Sequence, residues 1–163
     1  MKTILLIDDD PATLEVINEC LRHHFRTRIA TRGKKGMQLA QMSPAPDLVL
    51  LDLELPDMNG YQICSALKRD PGTADIPVIF LSSHSDIADI TRGLELGAVD
   101  YVPKPVAPPI LLARVRTHLE LKRARDRAAL EYQVMSNTLD ELAAGLEVVD
   151  PDGSLAWRNR RAE

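Results

Sequence analysis

Cysteine is almost missing from this chain: Cys20 and Cys64 are the only two in 163 residues. No disulfide framework and no Cys-x-x-Cys metal pattern can be built from them, which suits a reducing cytoplasm. Both fall on helical patterns and are expected as packing residues. Aromatic residues make up only 4% of the chain, so aliphatic side chains must fill any core, and a hydrophobic content of 45% is enough to do so. There is no basic excess. A net charge of −4 and a pI near 5.6 argue against a general nucleic-acid binder, whose footprint is basic. No apolar stretch approaches 20 residues, and none of the kind found in secretion signals follows Met1-Lys2. Neither a membrane helix nor a secretory leader is therefore expected. The length holds one ordinary domain with residues to spare.

What the chain does have is acid at the ends of apolar runs. The first run, Thr3-Ile-Leu-Leu-Ile7, stops on Asp8-Asp9-Asp10-Pro11, and a second, Leu48-Val-Leu-Leu51, stops on Asp52. A strand that ends on a carboxylate puts it at the rim of a sheet, and two such strands side by side concentrate negative charge there. Like charges that close must raise their pKa values or share a cation. Oxygen ligands without nearby Cys or His point to a hard cation, Mg²⁺ before Zn²⁺.

Short strand-like runs recur at Thr3–Ile7, Thr27–Ala30, Leu48–Leu51, Val78–Leu81 and Ala98–Val102. Most are continuously apolar, as in strands buried on both faces. The second, interrupted by Arg28, suits an edge. Amphipathic helical stretches alternate with them. Asp10 is placed to cap the first helix with Pro11 at its opening position, and Leu14, Ile17 and Leu21 follow at helical spacing. A second helix carries Gly36, Leu39 and Ala40, and a third Ile63 and Leu67. Ile87, Ile90 and Leu94 mark a fourth, and Pro108-Pro109 open a fifth carrying Leu112, Val115 and Leu119. Strict β/α alternation implies an α/β fold with a parallel, doubly wound sheet. Ligands of such sheets bind outside the carboxyl ends of the strands, where Asp8, Asp9 and Asp52 lie. Gly60 and Gly97 are expected to be turn or cap glycines.

The fifth helix has no evident stop before Gly145. Leu121, Arg125, Ala128, Tyr132, Met135, Leu139 and Leu142 alternate spacings of four and three, a heptad seam flawed at Arg125. This predicts a two-helix coiled coil. Beyond Gly145, Leu146 to Asn159 read as strand, turn, strand, with Asp152-Gly153 as the hairpin turn. An isolated hairpin is marginal in water, so these residues are expected to open a second domain.

Taken in order, Asp8-Asp9, Asp52 within Leu50-Leu-Asp-Leu-Glu-Leu-Pro-Asp-Met-Asn-Gly60, Ser82 closing Val78-Ile-Phe-Leu-Ser, and Tyr101-Val-Pro-Lys104-Pro105 resemble the receiver domain of two-component response regulators over about residues 1–120. The resemblance implies a flavodoxin-like doubly wound five-stranded parallel sheet, in strand order 2-1-3-4-5, with an extended C-terminal helix. It implies that Asp52 is the phosphoacceptor, receiving a phosphoryl group from a histidine kinase or phosphotransfer protein. Asp8, Asp9, Asp52 and the Glu54 backbone carbonyl would hold Mg²⁺. Lys104 would supply a second positive charge, and the Ser82 hydroxyl would donate to a phosphoryl oxygen. Ser82 and Tyr101 would form the switch, the ring turning inward and biasing the face made by helix 4, strand 5 and helix 5. Glu54 and His84 occupy positions that tune the lifetime of the phosphorylated state, and the Lys104-Pro105 bond is expected to be cis.

The last residues resemble the opening of a PAS sensor domain, on Gly145-Leu-Glu-Val-Val-Asp-Pro-Asp-Gly153 and the strand ending near Asn159. The expected organisation is a receiver over 1–120, a coiled-coil linker over 121–144 and a truncated PAS-like beginning over 145–163. The whole is expected to be a cytoplasmic homodimer, joined through the helix 4–strand 5–helix 5 face and the C-terminal helix. Asp100, Arg114 and Arg116 are candidate cross-pairs. No enzymatic activity, membrane contact or direct nucleic-acid contact is expected of this segment. Asp52-Leu-Glu54 departs from the Asp-x-Asp of haloacid-dehalogenase phosphatases, which also have no use for an Asp8-Asp9 pair.

Overall fold

The computed structural model describes residues 1–83, 86–140 and 147–158. His84, Leu142, Gly145, Leu146 and Asn159, each given a part above, lie outside the described residues. The chain divides into two compact units, Met1–Glu120 and Leu121–Glu163.

Five strands build the first unit: β1 (Thr3–Ile7), β2 (Arg26–Ala30), β3 (Leu48–Asp52), β4 (Val78–Ser82) and β5 (Asp100–Pro103). They pair in parallel in the order β2-β1-β3-β4-β5. This is the flavodoxin-like sheet expected, with β2 at an edge. Every residue of β1, β3 and β4 is buried, because helices cover both faces. Side chains alternate between two apolar layers. Ile4, Leu6, Leu48, Leu50, Ile79 and Leu81 meet Leu14, Ile17 and Leu21 of helix α1 (Pro11–Leu21) and Leu111, Val115 and Leu119 of helix α5 (Pro108–Asp140). On the other face Leu5, Ile7, Val49, Leu51, Val78 and Phe80 meet residues of α2 (Gly33–Ala40) and α3 (Gly60–Arg69).

Local chemistry sets the helix starts. The Asp10 carboxylate accepts from the Ala12 and Thr13 N–H groups, with Pro11 opening α1. Asn59 and Gln62 form a capping box at α3. The cap of α2 comes from elsewhere: Arg32 makes no side-chain capping bond, and Asp57 accepts from the Gly33 and Lys34 N–H groups at 2.8 and 3.0 Å.

Two expectations need correction. The fifth strand starts at Asp100, not Ala98. Gly97 has a φ of 95° and ends the turn after α4, so Ala98 and Val99 precede the strand although they are apolar. Helix α4 (Ile87–Glu95) buries only part of the stripe marked by Ile87, Ile90 and Leu94: Ile90 is half-buried and packs on the core. Ile87 and Leu94 are 82% and 47% exposed, and only Gly93 is buried.

In the second unit, the described strands β6 (Glu147–Val149) and β7 (Leu155–Arg158) form an antiparallel hairpin with Gly153 in the turn. The Trp157 Nε1–H donates to Ser136 Oγ at 3.2 Å. Leu121, Tyr132 and Met135 of the helical seam are exposed. Among the described residues no helix is long and apolar enough to cross a membrane.

Candidate functional site

The carboxyl ends of β1, β3, β4 and β5 gather the predicted residues. Asp8 directly follows β1, Asp52 and Ser82 are the last residues of β3 and β4, and Lys104 directly follows β5. Parallel pairing fixes their common level: Asp52 lies opposite Leu81, and Ser82 opposite Pro103. The Lys104 N–H donates to the Ser82 carbonyl at 2.8 Å. The Lys104-Pro105 peptide is cis. Asp8, Asp52 and Ser82 are buried, while Asp9 is exposed at the mouth.

Lys104 is the hinge of the charge balance. Its Nζ lies 2.8 Å from Asp8 Oδ2 and 3.0 Å from Asp52 Oδ2. The contact with Asp52 was expected; the equally close one with Asp8 was not, because sequence spacing cannot show which carboxylate a flexible lysine reaches. Burial pushes the Asp52 carboxyl up and the neighbouring Asp8 charge adds to this. Lys104 and the Glu54 backbone N–H work against that rise, and the net is still upward. For Lys104, burial disfavours the charge, but both carboxylates outweigh it and raise its pKa.

The acidic group fits a hard cation. One carboxylate oxygen from each of Asp8, Asp9 and Asp52 lies within 4.8 Å of the others. Asp8 Oδ1 accepts from the Asp10 N–H at 2.9 Å. Asp8 Oδ2 is buried and, although the Lys104 ammonium is near, has no aligned hydrogen bond. A buried carboxylate oxygen with an unfilled acceptor direction beside two further carboxylates is a donor set for Mg²⁺. The Glu54 side chain is exposed, and its backbone bridges to Asn59 across the loop after β3.

That loop returns tightly. The Gly60 N–H donates to the Leu53 carbonyl at 2.9 Å. A Cβ on Gly60 would press on the Asp52 carbonyl oxygen and lie 2.8 Å from the Leu53 Cα. Gly60 is therefore required by close approach to the main chain of the candidate phosphoacceptor, not by a turn conformation.

Tyr101 is 9% exposed, and its hydroxyl is buried with no hydrogen-bond partner among the described residues. The ring already packs in the layer containing Phe80 and Tyr61. Asp100 is engaged within the chain. Arg114 Nη1 lies 2.7 Å from its Oδ1, His118 Nε2 3.0 Å from its Oδ2, and the Tyr101 N–H donates to it at 2.7 Å. Burial pushes the Asp100 carboxyl up, but these donors outweigh it and hold it below its ordinary value. Arg116 lies against His24 Nδ1 at 3.4 Å.

The response regulator receiver domain family matches residues 4–116, and the chain belongs to that family. A probable cyclic di-GMP phosphodiesterase of Vibrio cholerae is 44% identical over 124 residues, covering 76% of this chain and 28% of that protein. The DNA-binding response regulator MtrA of Mycolicibacterium smegmatis is 42% identical over 127 residues, covering 77% of this chain and 53% of its own length. This chain therefore spans about half or less of either curated relative. Among solved structures, the BeF3-activated DrrB receiver domain matches with a TM-score of 0.67 and 38% identity, over 74% of this chain and 98% of that one.

Proposed function

We propose that residues 1–120 act as a phosphorylation switch in which Asp52 accepts a phosphoryl group from a histidine kinase or phosphotransfer protein. The observation that carries this reading is the Lys104 ammonium held between two buried carboxylates at four converging strand ends. An Asp52 carboxylate oxygen attacks phosphorus, the bond from phosphorus to the donor's histidine nitrogen breaks, and an acyl phosphate forms while the imidazole leaves. Phosphoryl transfer asks mainly for positioning and charge neutralisation. Lys104 supplies one positive charge. Once Asp52 carries the phosphoryl group, the ammonium moves from carboxylate to phosphoryl oxygen. The Ser82 hydroxyl, at the end of the adjacent strand, donates to another. Asp8, Asp9, Asp52 and the Glu54 carbonyl would hold Mg²⁺, which neutralises phosphoryl charge when bound. The Glu54 side chain and His84 tune how long the acyl phosphate survives.

The switch itself follows from Tyr101. Its hydroxyl finds no partner among the described residues, and a buried hydroxyl left so costs about 1–3 kcal/mol; phosphorylation shifts a population between two ring positions. The signal passes to the helix 4–strand 5–helix 5 face and to α5. Residues 121–144 serve as a helical linker in a homodimer, and residues 145–163 as the beginning of a PAS-like domain. The free thiols Cys20 and Cys64 suit a cytoplasmic setting. The matched relatives carry a phosphodiesterase or a DNA-binding name, so an enzymatic or DNA-binding output belongs to parts of such proteins outside the receiver.

Intact mass measured with Mg²⁺ and acetyl phosphate tests the reading. One added phosphoryl group is expected on the wild type and none on Asp52→Asn. No adduct on the wild type, together with no binding of beryllofluoride, would overturn it.

A further inference from the structure

Helix α4 is weakly anchored. Of its residues Ile87–Glu95 only Gly93 is fully buried and Ile90 is half-buried against the core, while its N-cap residue Asp86 makes no side-chain capping bond. Helices in proteins draw most of their stability from packing, so α4 needs another tether. The contacts that supply one converge on Tyr61, the second residue of α3. Its hydroxyl donates to the Asp89 carbonyl of α4 at 3.1 Å. The Arg92 guanidinium of α4 covers its ring at 4.6 Å from the centroid. The ring stands edge-on to Phe80, with centroids 5.5 Å apart. Phe80 is also the surface on which α4 rests, since a Cβ on Gly93 would lie 2.9 Å from Phe80 Cδ2. Burial raises the Tyr61 pKa above its ordinary value, so the phenol stays a donor.

The other end of this side chain is fixed to the site. Tyr61 follows Gly60, whose backbone is bonded to Leu53 and packed on the Asp52 carbonyl. The Tyr61 N–H donates to Asn59 Oδ1 at 2.8 Å within the α3 cap. One residue therefore joins the main chain of Asp52 to a helix on the signalling face.

We propose that Tyr61 is a positioning residue that ties α4 to the Asp52 segment through α3, in parallel with the route through Ser82 and Tyr101. Both tyrosines pack in the same layer as Phe80. One has its hydroxyl bonded to α4, and the other has a buried hydroxyl with no partner among the described residues. Moving α4 breaks the Tyr61 bond, so the position of the helix and that hydrogen bond are coupled. The placement of α4 stands apart from phosphorylation; only its signalling consequence rests on the phosphoacceptor reading.

Amide hydrogen exchange on the full chain tests this, first without metal or phosphodonor. Tyr61→Phe keeps the ring and removes the donor. Exchange in α4 is expected to quicken roughly 3- to 10-fold, the size of one hydrogen bond, with β1, β3 and β4 unchanged. Arg92→Gln, a surface change outside the core, is expected to quicken α4 in the same direction by less. Wild-type exchange in α4 for both variants, or faster exchange spread equally over the first unit, would overturn the proposal. With Mg²⁺ and beryllofluoride added, the change seen in α4 of the wild type should shrink in Tyr61→Phe while the ligand still binds. Failure of beryllofluoride to bind the wild type would count against the phosphoacceptor reading and leave the metal-free result standing.

Discussion

Asp52 and Lys104 carry opposite lessons about buried charge. The Asp52 pKa is raised, first by burial and then by Asp8. A carboxyl whose folded pKa lies above its unfolded one is favoured neutral, so ionisation costs stability once pH rises through the raised value. Asp52→Asn removes that cost. Without metal at pH 7 it is expected to be more stable than the wild type, the gap closing as pH falls toward the acid range. Lys104→Met does the reverse, leaving Asp8 and Asp52 without their shared cation. Breaking such a pair costs about 3–5 kcal/mol when fully buried; Lys104 is 15% exposed at the mouth, so roughly 2–3 kcal/mol is expected. Urea unfolding of the three proteins in a chelator, with and without a later excess of Mg²⁺, measures both. An Asp52→Asn protein less stable than the wild type at neutral pH would contradict this account of the site.

At the level of elements, the Asp100 cluster fastens β5 to α5. Its carboxyl lies below the ordinary value despite burial, because Arg114, the Tyr101 N–H and His118 all donate to it. A depressed carboxyl contributes stability that is complete above its unfolded pKa and lost as pH falls through the folded one. The loss therefore belongs below about pH 3.8, the ordinary value for Asp. Asp100→Asn should flatten that part of the acid-unfolding curve and lower stability at neutral pH by about 1 kcal/mol, since the pair is partly exposed. Identical acid limbs in the two proteins would rule this out. The same cluster shows what was legible in advance and what was not. β1, β3 and β4 could be read as continuous apolar runs because both their faces are covered, and Asp8, Asp52, Ser82 and Lys104 because each closes a strand or directly follows one. Partners across the fold left no such trace. Asp100 and Arg114 read as cross-pairs between protomers, whereas they bond within one chain. Asp57 caps a helix more than 20 residues upstream of it. Nothing in the spacing around Tyr61 signalled its bond to α4. The stripe on α4 held only at Ile90, which packs on the core, while Ile87 and Leu94 face outward over a shallow contact at Gly93.

For the whole molecule, the proposed dimer rests more on the helical seam than on charge. Any cross-pairing by Asp100 and Arg114 must compete with the pair they already make within one chain. Three apolar side chains of the seam, Leu121, Tyr132 and Met135, are 60%, 55% and 55% exposed. Leu130 and Val134 are also exposed, but at f and c positions they lie away from the seam. Lys122–Asp126 and Arg127–Glu131 pairs along the helix support it locally but add only a few tenths of a kcal/mol each. An apolar face of that kind is stabilised by a partner helix at heptad spacing. The double substitution Tyr132→Glu with Met135→Glu places two charges in the seam and leaves the receiver untouched. Light scattering across the micromolar range should give about twice the 18.1 kDa chain mass for the wild type and the monomer mass for the double variant. Both should take one phosphoryl group from acetyl phosphate. A wild type that stays monomeric with and without beryllofluoride would remove the dimer from the proposal. A double variant that still dimerises would move the interface from the seam to the helix 4–strand 5–helix 5 face.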